Sequence, residues 1–401
     1  MNADTISLQI NSISLLTGVK SLPLFQKFQR VFRSYSVSCT EFAAAYSELC
    51  AAVYDAEDPG RPFADAILFD ENPLTKYVDG QVPAAVLAAA DYDISVLSTL
   101  LSVSGSVLLE FAGRAFPQHR PFLRQLPGFP CGSPLPFADG RQLLARYQAE
   151  GYGFFARSSA FSMTENGPVA LQHYDNTQMT DLKGYQRQKD AIIANTEALL
   201  HGKKANNILL YGDKGTGKSS TVKAVANLFA PRGLKILELP IQLIARFPDL
   251  CREIRQAPFP FIVFLDDLNF SSEDENFAAL KAFIEGGIAG TPDNLVIYAT
   301  SNRRHLIREN FRSRDGDEVH VRDTIESITS LSDRFGLEIT FLTPDKDEFL
   351  YIVDSLAEEF GLQLPPEELH LLAERFAIRK NGRSARCARQ FISHMLASQT
   401  N

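Results

Sequence analysis

The run Gly212-Asp213-Lys214-Gly215-Thr216-Gly217-Lys218-Ser219-Ser220 contains the spacing GxxxxGK[ST]. Glycines so placed let backbone N–H groups turn inward around an anion, and the positive end of a following helix adds to the attraction. Such a loop cradles the phosphates of a nucleotide. Lys218 would reach the terminal phosphates, and the Ser219 hydroxyl would ligate Mg²⁺. Further on, Phe261-Ile-Val-Phe-Leu265 ends in Asp266-Asp267, as a buried strand delivering two carboxylates to one sheet edge would. Asp266 is the candidate partner of Ser219 at the metal, and Asp267 the candidate acceptor that polarises an attacking water. Asn302 follows the run Asn294-Leu-Val-Ile-Tyr-Ala-Thr300-Ser301 and is a candidate for holding that water or sensing the terminal phosphate. Arg334 stands just before another strand-like run, where an arginine can be projected across a subunit interface; such a finger contributes roughly 10³ to 10⁵ in rate. Arg383, Arg386 and Arg389 open the last helical pattern and offer a further cation, with Arg386 the first choice and the helix phase left open.

For these groups to converge, the chain must supply a sheet with its strand ends side by side. From residue 206 onward, the runs NILLYG, LKILELP, FIVFLDD, NLVIYAT and LEITF alternate with amphipathic stretches, the pattern of a parallel sheet with crossover helices. The phosphate-binding spacing follows the first of these strands and opens a helical segment, the context the motif requires. After Pro344 three helical patterns follow, near 345–360, 366–378 and 384–398, separated by Gly361, Pro365 and Gly382. The first third also reads as helical, with Phe25, Phe28, Val31 and Phe32 on one face. The expected organisation is a mainly helical N-terminal domain over 1–120, a turn-rich connecting segment over 121–175, an α/β core over 176–343 and a helical subdomain over 344–401. Tyr147, Tyr152, Phe154, Phe155 and Phe161 make part of the connecting segment too aromatic for a bare linker.

Apolar residues make up 45% and charged residues 22% of the chain, which excludes wholesale disorder. A net charge of −8 gives no global attraction to nucleic acid or an anionic membrane. Five scattered cysteines lack CxxC spacing and read as reduced thiols. The longest uncharged apolar stretch, Ile94 to Leu109, falls short of the roughly 20 residues of a membrane span. The N-terminus lacks the basic and apolar regions of a secretory signal. A cytoplasmic protein without a membrane span is the expectation. His119 and His173 read as surface or packed residues.

The order of the motifs resembles the AAA+ superfamily over residues from about 176 to 398. The wording GDKGTGKSSTVKA, FLDDLNF and IYATSNRRHL is similar to a bacterial group of AAA+-like ATP-binding proteins catalogued as a domain of unknown function. The resemblance implies an α/β P-loop NTPase with an AAA+-type parallel core and a C-terminal helical lid, behind a mainly helical N-terminal domain. It implies ATP and Mg²⁺ as cofactors. By resemblance, Lys218 and Ser219 belong to Walker A, Asp266 and Asp267 to Walker B, Asn302 to sensor 1, Arg334 to the arginine finger and Arg386 to sensor 2. Leu182-Lys-Gly184-Tyr185 resembles the segment that borders the adenine, and the guanine-reading NKxD is missing. Many members carry Glu where this chain has Asp267, one methylene shorter, which implies either looser positioning of the water or a different backbone there, and slow hydrolysis. The pore loop of protein unfoldases and the hairpin of DNA remodellers are not seen in Pro240–Arg246 and Gly286–Asp293. The arginines from Arg303 to Arg322 are interleaved with Glu309, Asp315, Asp317 and Glu318, a mixed solvated or inter-subunit loop rather than a nucleic-acid stripe. The function so implied is that of an oligomeric ATP-hydrolysing motor or remodeller acting on an unknown protein client and assembled through Arg334, with nucleic acid an unsupported second partner; the alternative is an ATP-dependent conformational or assembly switch with little turnover. A small-molecule kinase lacks an evident acceptor site.

Overall fold

A computed structural model describes residues 2–268, 279–281, 284, 290–302, 335–380 and 382–399. The chain divides into two compact units, Met1–Arg157 and Ser158–Asn401.

The first unit is helical: α1 (Ala3–Asn11), α2 (Pro23–Ser34), α3 (Cys39–Asp55), α4 (Arg61–Leu68), α5 (Ala84–Leu101), α6 (Gly105–Ala115), α7 (Arg120–Leu123) and α8 (Gly140–Glu150). Leu24, Phe25, Phe28, Val31 and Phe32 recur at three- and four-residue steps along α2, so one face is buried. They meet Phe42, Tyr46 and Leu49 of α3 and Ile94, Leu97 and Leu100 of α5 in a single core. Helix α5 is, among the described residues, the one long and apolar enough to cross a membrane. In this fold its Asp93 is fully buried, and the carboxylate accepts the N–H groups of Ser14, Leu15 and Leu16 at 2.7 to 3.2 Å. Those bonds satisfy a group that burial would otherwise make costly.

The second unit is built, among the described residues, on a seven-stranded sheet. Its strands are β1 (Ala160–Thr164), β2 (Gly167–Ala170), β3 (Ile208–Gly212), β4 (Lys235–Glu238), β5 (Phe261–Leu265), β6 (Leu295–Ser301) and β7 (Leu337–Phe341), in the spatial order β2-β1-β4-β5-β6-β3-β7. All neighbours pair in parallel except β1 with β2. Every residue of β5 and β6 is buried, as central strands covered on both faces require. Helices α9 (Gln186–Leu200), α10 (Lys218–Phe229) and α11 (Phe247–Gln256) lie between the strands in sequence. Three helices then close the unit: α12 (Lys346–Glu359), α13 (Pro366–Arg379) and α14 (Ala385–Gln399), packed around Phe349, Ile352, Val353, Ala373, Phe391 and Ile392. Asp345 caps α12 by accepting the Glu348 N–H at 2.9 Å. The α/β P-loop fold with a helical lid is thus the one the sequence leads one to expect.

The segment 121–175 differs from its reading as a connection. Leu123, Phe129, Leu135, Phe137, Leu143 and Tyr147 belong to the core of the first unit. Residues beyond 157 instead enter the sheet: β1 pairs with β4, and a two-residue turn, Glu165-Asn166, returns the chain as β2. Of the aromatics that argued against a bare linker, Tyr147 and Phe155 are buried before that division and Phe161 after it, whereas Phe154 is exposed.

Candidate functional site

The strand order sets the site. Strand β3 lies between β6 and β7, with β5 beyond β6, so the C-terminal ends of β3, β6 and β5 are adjacent. Ligands of open α/β sheets bind at such strand ends. The loop after β3 begins at Gly212, with φ 137°; a Cβ there would sit 2.0 Å from the Phe341 carbonyl oxygen, so only glycine permits this approach to β7. The loop ends at Gly217, φ 97°, which caps α10 without any side-chain bond to the helix N–H groups. Those donors and the helix dipole face the loop, an arrangement that favours an anion.

Lys218, on the first turn of α10, is only 7% exposed. Its Nζ donates to the Gly212 and Asp213 carbonyls at 2.9 and 2.7 Å and to Asn302 Oδ1 at 3.3 Å. Burial pulls its pKa below the usual lysine value, while Asp213, Asp267 and Asp266 oppose the shift. Ser219 Oγ donates to Asp266 Oδ1 at 2.6 Å. Asn302 Nδ2 donates to Asp267 Oδ1 at 2.5 Å. Lys218, Ser219, Asp266, Asp267 and Asn302 therefore form one contiguous cluster. Oxygen donors from a hydroxyl and a carboxylate at hydrogen-bond distance are a donor set that suits Mg²⁺.

Beside the loop is a cavity of about 200 Å³ lined by Leu182, Gly184, Tyr185, Gly215, Thr216, Gly217, Ser220 and Arg386, among others. Tyr185 is held by its hydroxyl bond to the Leu342 carbonyl at 2.6 Å and by its ring, 5.1 Å from that of Phe341. Of the three late arginines, Arg386 is nearest the loop: its backbone N–H donates to the Gly215 carbonyl at 3.2 Å. Arg383 is instead paired with both oxygens of Glu374, at 2.8 and 2.6 Å, and Arg389 donates to the Asp181 carbonyl at 2.9 Å.

Two expected loop positions behave differently from the rest. Lys214 is exposed. The Asp213 carboxylate turns to Thr343, accepting its N–H and hydroxyl, each at 2.7 Å, and these bonds hold its pKa below the usual carboxylate range. It ties the loop to the segment that leads into the lid. Arg334 and the arginine-rich stretch from Arg303 to Arg322 lie outside the described residues. Sequence reading missed Thr343, Lys189 and Thr300. Lys189 lines the cavity and donates to the Leu182 carbonyl at 2.8 Å. No sequence signal singles out Thr300, whose partners come from the pairing of β6 beside the end of β5.

A family profile described as a protein of unknown function, DUF815, matches residues 156–399. The chain belongs to the DUF815 family. The matched region of this DUF815 chain contains the whole sheet, the phosphate-type loop and the lid, the AAA+-type arrangement that the motif order resembles. No curated protein matches the chain. Among solved structures, the Thermotoga maritima RuvB Holliday junction branch migration motor is 16% identical, with 54% of this chain and 63% of that chain covered and a TM-score of 0.37. The Aeropyrum pernix Orc1 protein in complex with DNA is 17% identical, with coverages of 55% and 62% and a TM-score of 0.39. This chain spans less than two thirds of either.

Proposed function

We propose that this DUF815 chain is an AAA+-type ATPase that binds and hydrolyses Mg²⁺–ATP. The observation that carries the reading is the bonded cluster of Lys218, Ser219, Asp266, Asp267 and Asn302 at three adjacent parallel strand ends. The inward-facing loop amides and Lys218 would bind the phosphates, with Lys218 exchanging its carbonyl partners for phosphate oxygens. Its burial strengthens that interaction, because charges attract more strongly where water is excluded. Ser219 and Asp266 would hold Mg²⁺, which neutralises charge on the β- and γ-phosphate oxygens when bound. Asp267, oriented by Asn302, is the anionic acceptor for a proton of the attacking water. Arg386 would add a cation beside the phosphates, and Leu182, Gly184 and Tyr185 would border the base.

At the finer level, the chain is an oligomeric motor in the cytoplasm, with Arg334 completing a neighbour's site and a protein client still to be found. A second reading, a binding switch with little turnover, rests on Asp267 itself, one methylene shorter than the Glu that many AAA+ proteins carry there. Steady-state ATP turnover over a range of protein concentrations separates the two. The motor reading expects turnover that rises with concentration, falls about 100-fold or more in Asp267→Asn and is lost in Arg334→Ala, with ATP binding retained. Tight binding with no wild-type turnover would favour the switch. Undiminished turnover in Asp267→Asn would contradict the role given to that carboxylate.

A further inference from the structure

Strand β5 stops at Leu265, and the chain turns through Asp266 and Asp267 before the Leu268 N–H returns to the Thr300 carbonyl at 2.7 Å. Asp267 has φ 52°, and with Tyr185 it makes the pair of non-glycine residues of positive φ among those described. An L-residue in the left-handed region is strained and persists only where its surroundings fix it.

Thr300, next door on β6, supplies that fixing. It is 2% exposed. Its hydroxyl donates to Asp266 Oδ1 at 2.6 Å and accepts the Asp267 N–H at 2.9 Å. The directions are set by chemistry, because a carboxylate only accepts and a peptide N–H only donates. A single hydroxyl thus engages both acidic residues at once. Ser219 Oγ and the Asp267 N–H also reach Asp266 Oδ1, at 2.6 and 3.1 Å. Among the described residues these hydrogen bonds to the carboxylate all fall on Oδ1, so Thr300 and Ser219 hold the same carboxylate oxygen.

We propose that Thr300 is a positioning residue for the Mg²⁺–nucleotide site, orienting the Asp266 carboxylate and locking Asp267 in the backbone conformation that aims it at Asn302. The inference rests on the function proposed above and deepens it. Replacing Thr300 by Val keeps shape and removes the hydroxyl; replacing it by Ser keeps the hydroxyl.

The test measures binding of a fluorescent ATP analogue, first in EDTA and then with titrated Mg²⁺, together with turnover and thermal unfolding. Thr300→Val is expected to leave metal-free affinity within about twofold, to raise the Mg²⁺ concentration for half-saturation by about 10- to 100-fold and to lower kcat comparably. Thr300→Ser is expected to restore both to within about threefold. Should Thr300→Val fail to fold, Thr300→Ala provides the same comparison. A hydroxyl-free variant that titrates Mg²⁺ as the wild type does, while the wild type binds nucleotide, would overturn the role of Thr300 alone. Absence of nucleotide binding in the wild type would overturn the functional reading and this inference with it.

Discussion

Arg383, Arg386 and Arg389 occupy nearly equivalent places in the sequence, and their partners separate them. Arg383 is committed to a two-point ion pair with Glu374, which holds its guanidinium on the lid. Such fork-to-carboxylate pairs are geometrically demanding and not readily exchanged. Arg386 lies one residue into α14, directly over Gly215, and contributes to the electrostatic environment of Lys218. Arg386→Ala is therefore expected to weaken ATP binding about tenfold, whereas Arg383→Ala changes it by about twofold or less. Fluorescence titration of the two variants side by side checks this, and a larger loss in Arg383→Ala would reverse the assignment. The glycine spacing and Lys218 were legible directly, because the chemistry of a phosphate loop admits few residue types. Thr300 was not: a threonine in a strand is ordinary, and only its register beside the Asp266-Asp267 turn gives it two acidic partners.

Individual strands were legible wherever burial on both faces produced an unbroken apolar run, as in β5 and β6. Strands β1 and β2 escaped because they are only partly buried and lack an unbroken apolar run, and β2 contains Pro168, which suits its place at the sheet edge. Strand β4 carries the feature with the clearest pH consequence. Its first residue, Lys235, is 7% exposed, lies 4.3 Å from the centre of the Phe259 ring and donates to the Ser158 carbonyl at 2.8 Å. Burial lowers its pKa to about 8. An unfolded lysine titrates near 10.4, so between those values the unfolded chain binds more protons than the folded one and stability rises with pH. Below pH 8 both states are charged and the cost of burying the ammonium is fully present. Urea unfolding at about pH 7 and about pH 10 should show this rise in the wild type and a smaller one in Lys235→Met. Equal pH dependence in the two proteins would show that Lys235 is not buried as a strained cation.

At the scale of the whole molecule, the chain has separate hydrophobic cores: one confined to the first unit, others within the sheet and the lid of the second. The nucleotide-type cluster, the cavity and the matched family region all fall in or beside Ser158–Asn401, whereas the helical unit contributes none of the residues assigned to ATP. That division was only partly legible, since helical periodicity announces a helix without saying which core it joins. The most direct test is calorimetric titration of Mg²⁺–ATP into the full chain, into residues 158–401 alone and into Lys218→Ala. Binding by the full chain and the fragment is expected with affinities within about threefold, and a loss of at least about 100-fold in Lys218→Ala, as befits a buried cation facing phosphates. No heat of binding in the wild type, or equal affinity in Lys218→Ala, would contradict the assignment of this site to ATP.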